Sequence, residues 1–368
     1  MKIFKKERII LCVILMVVFA FPINTLAKEK INALYIPLAD HYAAAVIAHA
    51  KYRSEMQQCN YTVEMMKSWP SLRGKFEAGQ ADVAYIISPM AMDMFGKKPN
   101  LRVVSLVHRD GNALAINKIL EKKLNLSEKR LDRKPTADVA NALEAWKKET
   151  GRPSICAVPS LLATHTVVMY KYLKDHGKTL AIGSGDGDVL AKAVAPPLSP
   201  VFLKQQAKAG KAACFEQSLP WADIVETDGF GKVAWYSKDV IQSKHGHVEC
   251  IMIASDNAIK NKKEALKELV YYIHKAGREI DSARAEGGQA LRDIATIVSE
   301  YIPSHNIESV IQSLRADIAV INYSNLNVDK PGLKQIMDLA VESKILEKAI
   351  DINAFADETF SVDAIGIE

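Results

Sequence analysis

The chain has 368 residues, 49% of them hydrophobic and 25% charged, with five cysteines and a formal net charge of +5. This composition excludes a disordered or low-complexity protein, and the length is too great for one ordinary core and suits two lobes. Residues 1–27 hold four of the positive charges and one negative charge, which leaves +2 on the remainder and removes any bulk electrostatic case for nucleic acid.

Lys2, Lys5, Lys6 and Arg8 precede an apolar run from Ile9 to Phe21, and Thr25-Leu26-Ala27 offers small residues before Lys28. This is the layout of a secretory signal peptide, with an apolar run shorter than the roughly 20 residues of a membrane span. Cleavage after residue 27 and a soluble, exported chain located in the periplasm are expected. A retained N-terminal anchor is the alternative.

Strands and helices then alternate, which argues for an α/β architecture with mostly parallel sheets. Ile31–Ile36 reads as a strand, Pro37-Leu38-Ala39-Asp40 as a loop and His41–Gln58 as a helix. Tyr61–Met66 alternates like a half-buried strand. From Ser68-Trp69-Pro70 to Ser88-Pro89-Met90 the pattern is a proline-opened helix, a short buried strand and a second helix opened by Ser-Pro. Such helix starts present unpaired N–H groups and the positive end of the dipole, which suits an anion or a polar ligand. Trp69 adds a flat surface beside them.

Leu101–Leu106 and Leu114–Ile116 read as strands on either side of Asp110-Gly111-Asn112. Glu121–Lys134 is dominated by charge and is expected to be an exposed connection. Cys156–Val158 resumes the strand pattern and leads into a helix running to about Asp175, with Ser160 or Thr164 as its cap. Gly183–Asp188 lacks the ending of a phosphate loop and reads as a turn. Val201–Ala209 is a helix, Ala212–Phe215 a strand ending near Ser218-Leu219-Pro220-Trp221, and Cys250–Ala254 a further strand. Lys262–Ile280 is an amphipathic helix with Leu266, Leu269, Val270, Ile273 and Gly277 on one face. Helices over Ile307–Arg315 and Gly332–Glu342 follow.

Cys59, Cys156, Cys214 and Cys250 lie beyond residue 27 and show no C-x-x-C spacing, so no zinc or thioredoxin-like motif is supported. Buried free thiols and a Cys156–Cys214 bridge are both open readings. His245-Gly246-His247-Val248-Glu249 could be read as a metal site, since histidines two apart can share a strand face. No metal, cofactor or catalytic residue is assigned.

Several short motifs in fixed order carry a resemblance. They are Ile36-Pro37-Leu38-Ala39-Asp40, Ser68-Trp69, Gly79 through Ala84, Ser88-Pro89-Met90, Gly111-Asn112-Ala113-Leu114, Thr164-His165, Ala195-Pro196-Pro197, Gly210 through Phe215, Pro220-Trp221 and Asp357-Glu358-Thr359-Phe360. In this order they resemble the periplasmic solute-binding proteins of nitrate/sulfonate/taurine-type ABC importers, nearest the nitrate/bicarbonate-binding branch. The resemblance implies a two-lobe periplasmic-binding-protein fold of type II with the ligand cleft between the lobes. It implies lobe 1 over residues 28–115, lobe 2 over 116–246, and a return to lobe 1 with C-terminal helices over 247–368. It also implies a monomer that delivers a small anion or organic sulfonate to an inner-membrane ABC permease. A ligand-sensing module for a membrane receptor is an alternative. An enzyme like the thiamine pyrimidine synthases is a weaker one, because their cysteine cluster is missing here.

Within that frame the expected ligand-binding residues are Trp69, Ser88, Asn112, Thr164, His165, Leu219 and Trp221. Trp69 and His165 match a tryptophan and a histidine that face the ligand in the nitrate-type branch. Asn112 can both donate and accept, with a turn residue as its other reading. His165 could equally be a satisfied core histidine, and Ser88 could cap the helix at Pro89 while touching ligand. Asp40 is read as a helix cap. Leu219 departs from the charged residue expected before Pro-Trp, which points away from a bare inorganic anion. Trp221 could pack on a hydrocarbon portion of the ligand or be structural. The His245–Glu249 segment is expected outside the cleft.

Overall fold

The structure, a computed structural model, describes residues 27–362. The expected signal peptide lies outside the described residues apart from Ala27. No helix of the described residues is long and apolar enough to cross a membrane.

Two sheets organise the chain. The first has the order β2-β1-β3-β12-β4, from strands β1 (Glu29–Tyr35), β2 (Cys59–Met65), β3 (Val83–Ile87), β4 (Leu101–Leu106) and β12 (Cys250–Ser255). A two-residue strand β5 (Arg109–Asp110) pairs with β13 (Ile321–Asn322) beside the crossover. The second sheet has the order β11-β6-β10-β7-β9-β8. Its strands are β6 (Asn112–Asn117), β7 (Ser154–Val158), β8 (Leu180–Ile182), β9 (Val189–Ala193), β10 (Ala213–Ser218) and β11 (Gly231–Tyr236). Each sheet is mainly parallel but takes in strands of opposite sense: β12 runs antiparallel to β3 and β4, and β6 antiparallel to β10 and β11. The chain therefore changes sheet twice, between β4 and β6 and again between β11 and β12. The boundary expected at 115/116 falls inside β6, a strand of the second sheet, and residues 237–249 form the return.

Local chemistry explains the elements that frame the cleft. Helix α1 (Trp69–Glu77) is capped by Ser68, whose side chain accepts from Ser71 N–H, and Pro70 sits in its first turn. Helix α2 (Ser88–Lys97) starts at the end of β3, with Pro89 in its first turn. Ser88 is the first helical residue and makes no capping bond, so the expected capping role is not taken up; its N–H donates to the Glu249 carbonyl instead (3.1 Å). Thr164 likewise opens the helix Thr164–Asp175 without capping it.

The helix expected over His41–Gln58 is shorter and of another kind. Ala39–His41 forms a 3₁₀ turn, and Tyr42–Tyr52 continues as a π-helix, a rare form associated with functional sites. The long amphipathic helix runs over Lys263–Glu286 and buries Leu266, Leu269, Val270 and Ile273. Gly277 on that face is fixed by packing, because a Cβ there would lie 2.7 Å from the Tyr323 carbonyl oxygen. The charged stretch before Thr136 is not wholly exposed. Arg130 and Arg133 are buried, where Arg130 pairs with Asp223 and Arg133 forms a fork with Glu226 (2.7 and 3.1 Å). Cys59, Cys156, Cys214 and Cys250 are free and buried; Cys156 and Cys214 are paired positions on adjacent strands but are not bridged. At the end of the chain Asp357 accepts from Thr359 N–H (2.9 Å), and Phe360 is buried.

Candidate functional site

The ends of β1, β3 and β10 meet the starts of β6 and β12 between the two sheets. Ligands in open α/β sheets bind beyond the carboxyl ends of the strands. An antiparallel strand brings its amino end to the same edge, so Asn112 at the start of β6 pairs with Ser218 at the end of β10. Cys250 at the start of β12 pairs with Ile87 at the end of β3. The same rule places Glu249 beside the first turn of α2.

The structure brings most of the expected residues to this junction. Trp69, Ser88, Asn112, Thr164, His165 and Leu219 show no exposed surface, and Trp221 is 5% exposed. Ser88 Oγ and Thr164 Oγ1 face each other at 3.4 Å across the two lobes. Trp69 Nε1 and both polar atoms of the Asn112 side chain are buried with no protein partner. The ring of Trp69 meets that of His41 edge-on, with centroids 6.0 Å apart. Buried polar atoms are normally paired, so these atoms are candidates for partners from outside the protein. Trp221 is tied differently: its Nε1–H donates to the Pro37 carbonyl (3.3 Å) and its ring lies edge-on to His305 (5.1 Å). Leu219 takes part through its backbone, accepting from Ala39 N–H (2.8 Å) and donating to Gly111 O (3.1 Å). A cis peptide joins it to Pro220.

Five residues at the centre were not expected there: Asp40, His108, Ser218, Glu249 and Cys250, all fully buried. Asp40 is not a helix cap; its Oδ2 accepts from the Ser218 hydroxyl at 2.7 Å. Glu249 does not lie outside the cleft. Its Oε2 stands 3.1 Å from His108 Nε2 and its Oε1 3.3 Å from His165 Nδ1. Only His245, in the same segment, faces solvent, while His247 is buried against Ser237 and Asp110.

Hydrogen-bond polarity fixes the character of this centre. With Asp40 ionised its carboxylate accepts only, so Ser218 donates to Asp40 and accepts from His165 Nε2–H (2.9 Å). His165 therefore presents a bare Nδ1 lone pair to Glu249. The Cys250 N–H donates to His108 Nε2 (3.3 Å), which puts the proton of that ring on Nδ1 and leaves Nε2, 3.1 Å from Glu249 Oε2, with its one lone pair engaged by Cys250. Burial pushes Asp40 and Glu249 each up to about 7 and drives the buried His165 and His108 downward. Burial likewise lowers His41 to about 3. The centre is rich in acceptors and its network contains no lysine or arginine.

Sequence signals for these residues were weak. Asp40 and His108 follow strands as ordinary loop residues would, and Glu249 precedes an apolar strand whose reversed direction cannot be read from its composition.

A family model described as NMT1-like matches residues 25–298. The ligand-binding component of an ABC-type import system from Staphylococcus aureus, solved with zinc bound, is 17% identical, with a TM-score of 0.70 over 92% of this chain and 99% of that one. The periplasmic nitrate-binding protein NrtA from Synechocystis PCC 6803 is 16% identical, with a TM-score of 0.73 over 92% and 88%. The periplasmic aliphatic sulphonate binding protein SsuA from Escherichia coli is 10% identical, with a TM-score of 0.60 over 89% and 92%. These likenesses establish a periplasmic-binding-protein fold. No curated protein sequence matches the chain.

Proposed function

The chain belongs to the NMT1-like family, and from that premise we propose that it is an extracytoplasmic binding protein that captures a small polar solute between its lobes and delivers it to an ABC importer. The observation that carries this reading is the cluster of buried polar side chains Trp69, Asn112, His165 and Glu249, drawn from both lobes and both crossovers, several of whose polar atoms make no close hydrogen bond within the protein. Solvation would satisfy these groups in an opened molecule, and a solute would satisfy them in the closed one.

The seven expected ligand contacts are kept as proposed contacts in two classes. Trp69, Ser88, Asn112, Thr164 and His165 would meet the solute with side chains. Leu219 and Trp221 would hold the lobes together around it. The solute class differs from a bare anion or a simple sulfonate. Asp40 and Glu249 give the centre acceptors and no fixed positive charge, so a solute with hydrogen-bond donors or a positive centre fits better. Export to the periplasm and an inner-membrane permease as partner follow from the same reading. They agree with the import system to which the Staphylococcus aureus neighbour belongs and with the periplasmic location of the nitrate- and sulphonate-binding neighbours.

A thermal-shift screen tests the proposal, because a solute that binds only the folded form raises the melting temperature. Amines, amino-acid derivatives, sulfonates and inorganic anions are compared on the wild type and on Asn112→Ala. The expected result is a rise in the wild type that is smaller in the variant. An equal rise in both proteins would overturn the assignment of this junction as the binding site.

A further inference from the structure

The donor atoms around Glu249 meet a second, independent criterion. Donor atoms of Asp40, His108, Glu249 and Cys250, one from each, lie within 4.8 Å of one another. The separations are 3.1 Å from His108 Nε2 to Glu249 Oε2, 3.6 Å from that nitrogen to Asp40 Oδ2, and 3.7 Å from Cys250 Sγ to Asp40 Oδ2. Tetrahedral coordination at bond lengths of about 2.0–2.3 Å puts neighbouring donors about 3.3–3.8 Å apart. Two of these three separations fall inside that range and the 3.1 Å one lies just below it.

The hydrogen-bond polarity points the same way. The lone pair of His165 Nδ1 faces Glu249 Oε1 at 3.3 Å, an arrangement that is repulsive unless a cation or a proton stands between them, and a cation at His108 Nε2 would take the place of the Cys250 N–H that this nitrogen accepts from. His165 Nδ1 and Glu249 Oε1 are both buried. We propose that Asp40, His108, Glu249 and Cys250 bind a divalent transition-metal ion of the zinc class. The mix of imidazole, thiol and carboxylate selects that class over calcium or magnesium, which take oxygen ligands. On binding, the Cys250 thiol releases its proton to solvent and the thiolate joins the ion. The ion ties Asp40 on the first lobe to both crossovers, through His108 on one and Glu249 with Cys250 on the other. His165 reaches the same carboxylate from the second lobe. This inference stands on donor geometry and goes beyond solute capture.

Untagged protein, stripped with a chelator, is titrated with cobalt(II) chloride as the probe and followed by absorption. The expected result is one equivalent bound per chain, with tetrahedral ligand-field bands and a cobalt–thiolate charge-transfer band, and displacement by zinc chloride. Cys250→Ser, a near-isosteric change, is expected to lose the charge-transfer band and keep weaker binding. His108→Gln and Glu249→Gln are expected to weaken uptake by at least about 100-fold, since even outer-shell changes cost 10- to 100-fold. The exposed His245→Gln is expected to bind as the wild type does. Thermal melts confirm that each variant is folded. Absence of cobalt uptake, uptake unchanged in His108→Gln and Glu249→Gln, or a spectrum without the thiolate band in the wild type would each overturn the site. A solute-induced melting shift in the metal-free protein would leave the transport reading standing in that event, and metal uptake without any solute effect would do the reverse.

Discussion

Replacing Ser218 with alanine removes the hydroxyl that links the second lobe to Asp40 on the first. Burial pushes Asp40 up to about 7, so at pH 8 the carboxylate is ionised and the 2.7 Å bond is charge-assisted. A bond to a charged group contributes about 1.5–3 kcal/mol. In an opened molecule water replaces it, so its loss falls on the closed state alone. The closed-to-open ratio should then drop roughly 10- to 150-fold, at about 1.4 kcal/mol per tenfold. Other ties between the lobes remain, among them Ala39 N–H to Leu219 O (2.8 Å), Trp221 Nε1–H to Pro37 O (3.3 Å), Ser88 to Thr164 (3.4 Å) and the solvent-exposed Lys174–Glu342 ion pair, but none of them replaces the bond lost at Asp40. Small-angle X-ray scattering at pH 8 reads the result. The wild type should fit the closed shape, and Ser218→Ala should show a larger radius of gyration with little change in helix content. Superimposable profiles, or a wild type already open, would refute the role given to this bond.

Three further outcomes are expected. Trp69→Ala should weaken solute binding by about tenfold or more in calorimetry, as loss of an aromatic anchor does; because Trp69 has no exposed surface, it should also cost about 3–5 kcal/mol in a denaturant melt. Leu219→Glu should lower the melting temperature and disturb binding, because the new carboxylate would be buried without a partner; unchanged melting would show that the side chain escapes to solvent. His274 is buried, bonded through Nε2 to Ser105 Oγ (3.1 Å), and lowered to about 4 by burial. The unfolded chain takes up this proton below about 6.5 and the folded chain only near 4. Its contribution is thus full above pH 6.5 and lost as pH falls through that window, by up to about 3 kcal/mol. His274→Gln should flatten that part of the stability curve, and an unaltered slope would refute it.

The alternating strands and proline-opened helices were legible because each rests on local chemistry. Trp69, Ser88 and Thr164-His165 could be placed near one edge for the same reason: they stand at strand-to-helix turns of parallel strands. Asp40, His108, Ser218, Glu249 and Cys250 were not legible as a group, since their meeting depends on strand direction. Glu249 and Cys250 reach the cleft because β12 runs against its neighbours, and no periodicity in Cys250–Ser255 records that. The capping roles read for Asp40, Ser88 and Thr164 failed because tertiary partners took their side chains. Ser218 holds Asp40, and Ser88 and Thr164 face one another between lobes. The π-helical turn pattern of Tyr42–Tyr52 likewise leaves no trace in its alanine-rich sequence.

Native mass spectrometry of protein purified without denaturation, wild type beside an Asn112→Ala, His165→Gln double variant, tests most directly whether a solute is held between the lobes. The wild type should carry an additional small-molecule mass that is released on collisional activation, and the folded double variant should lack it. A wild type that carries no additional mass, or the same mass on both proteins, would contradict the account.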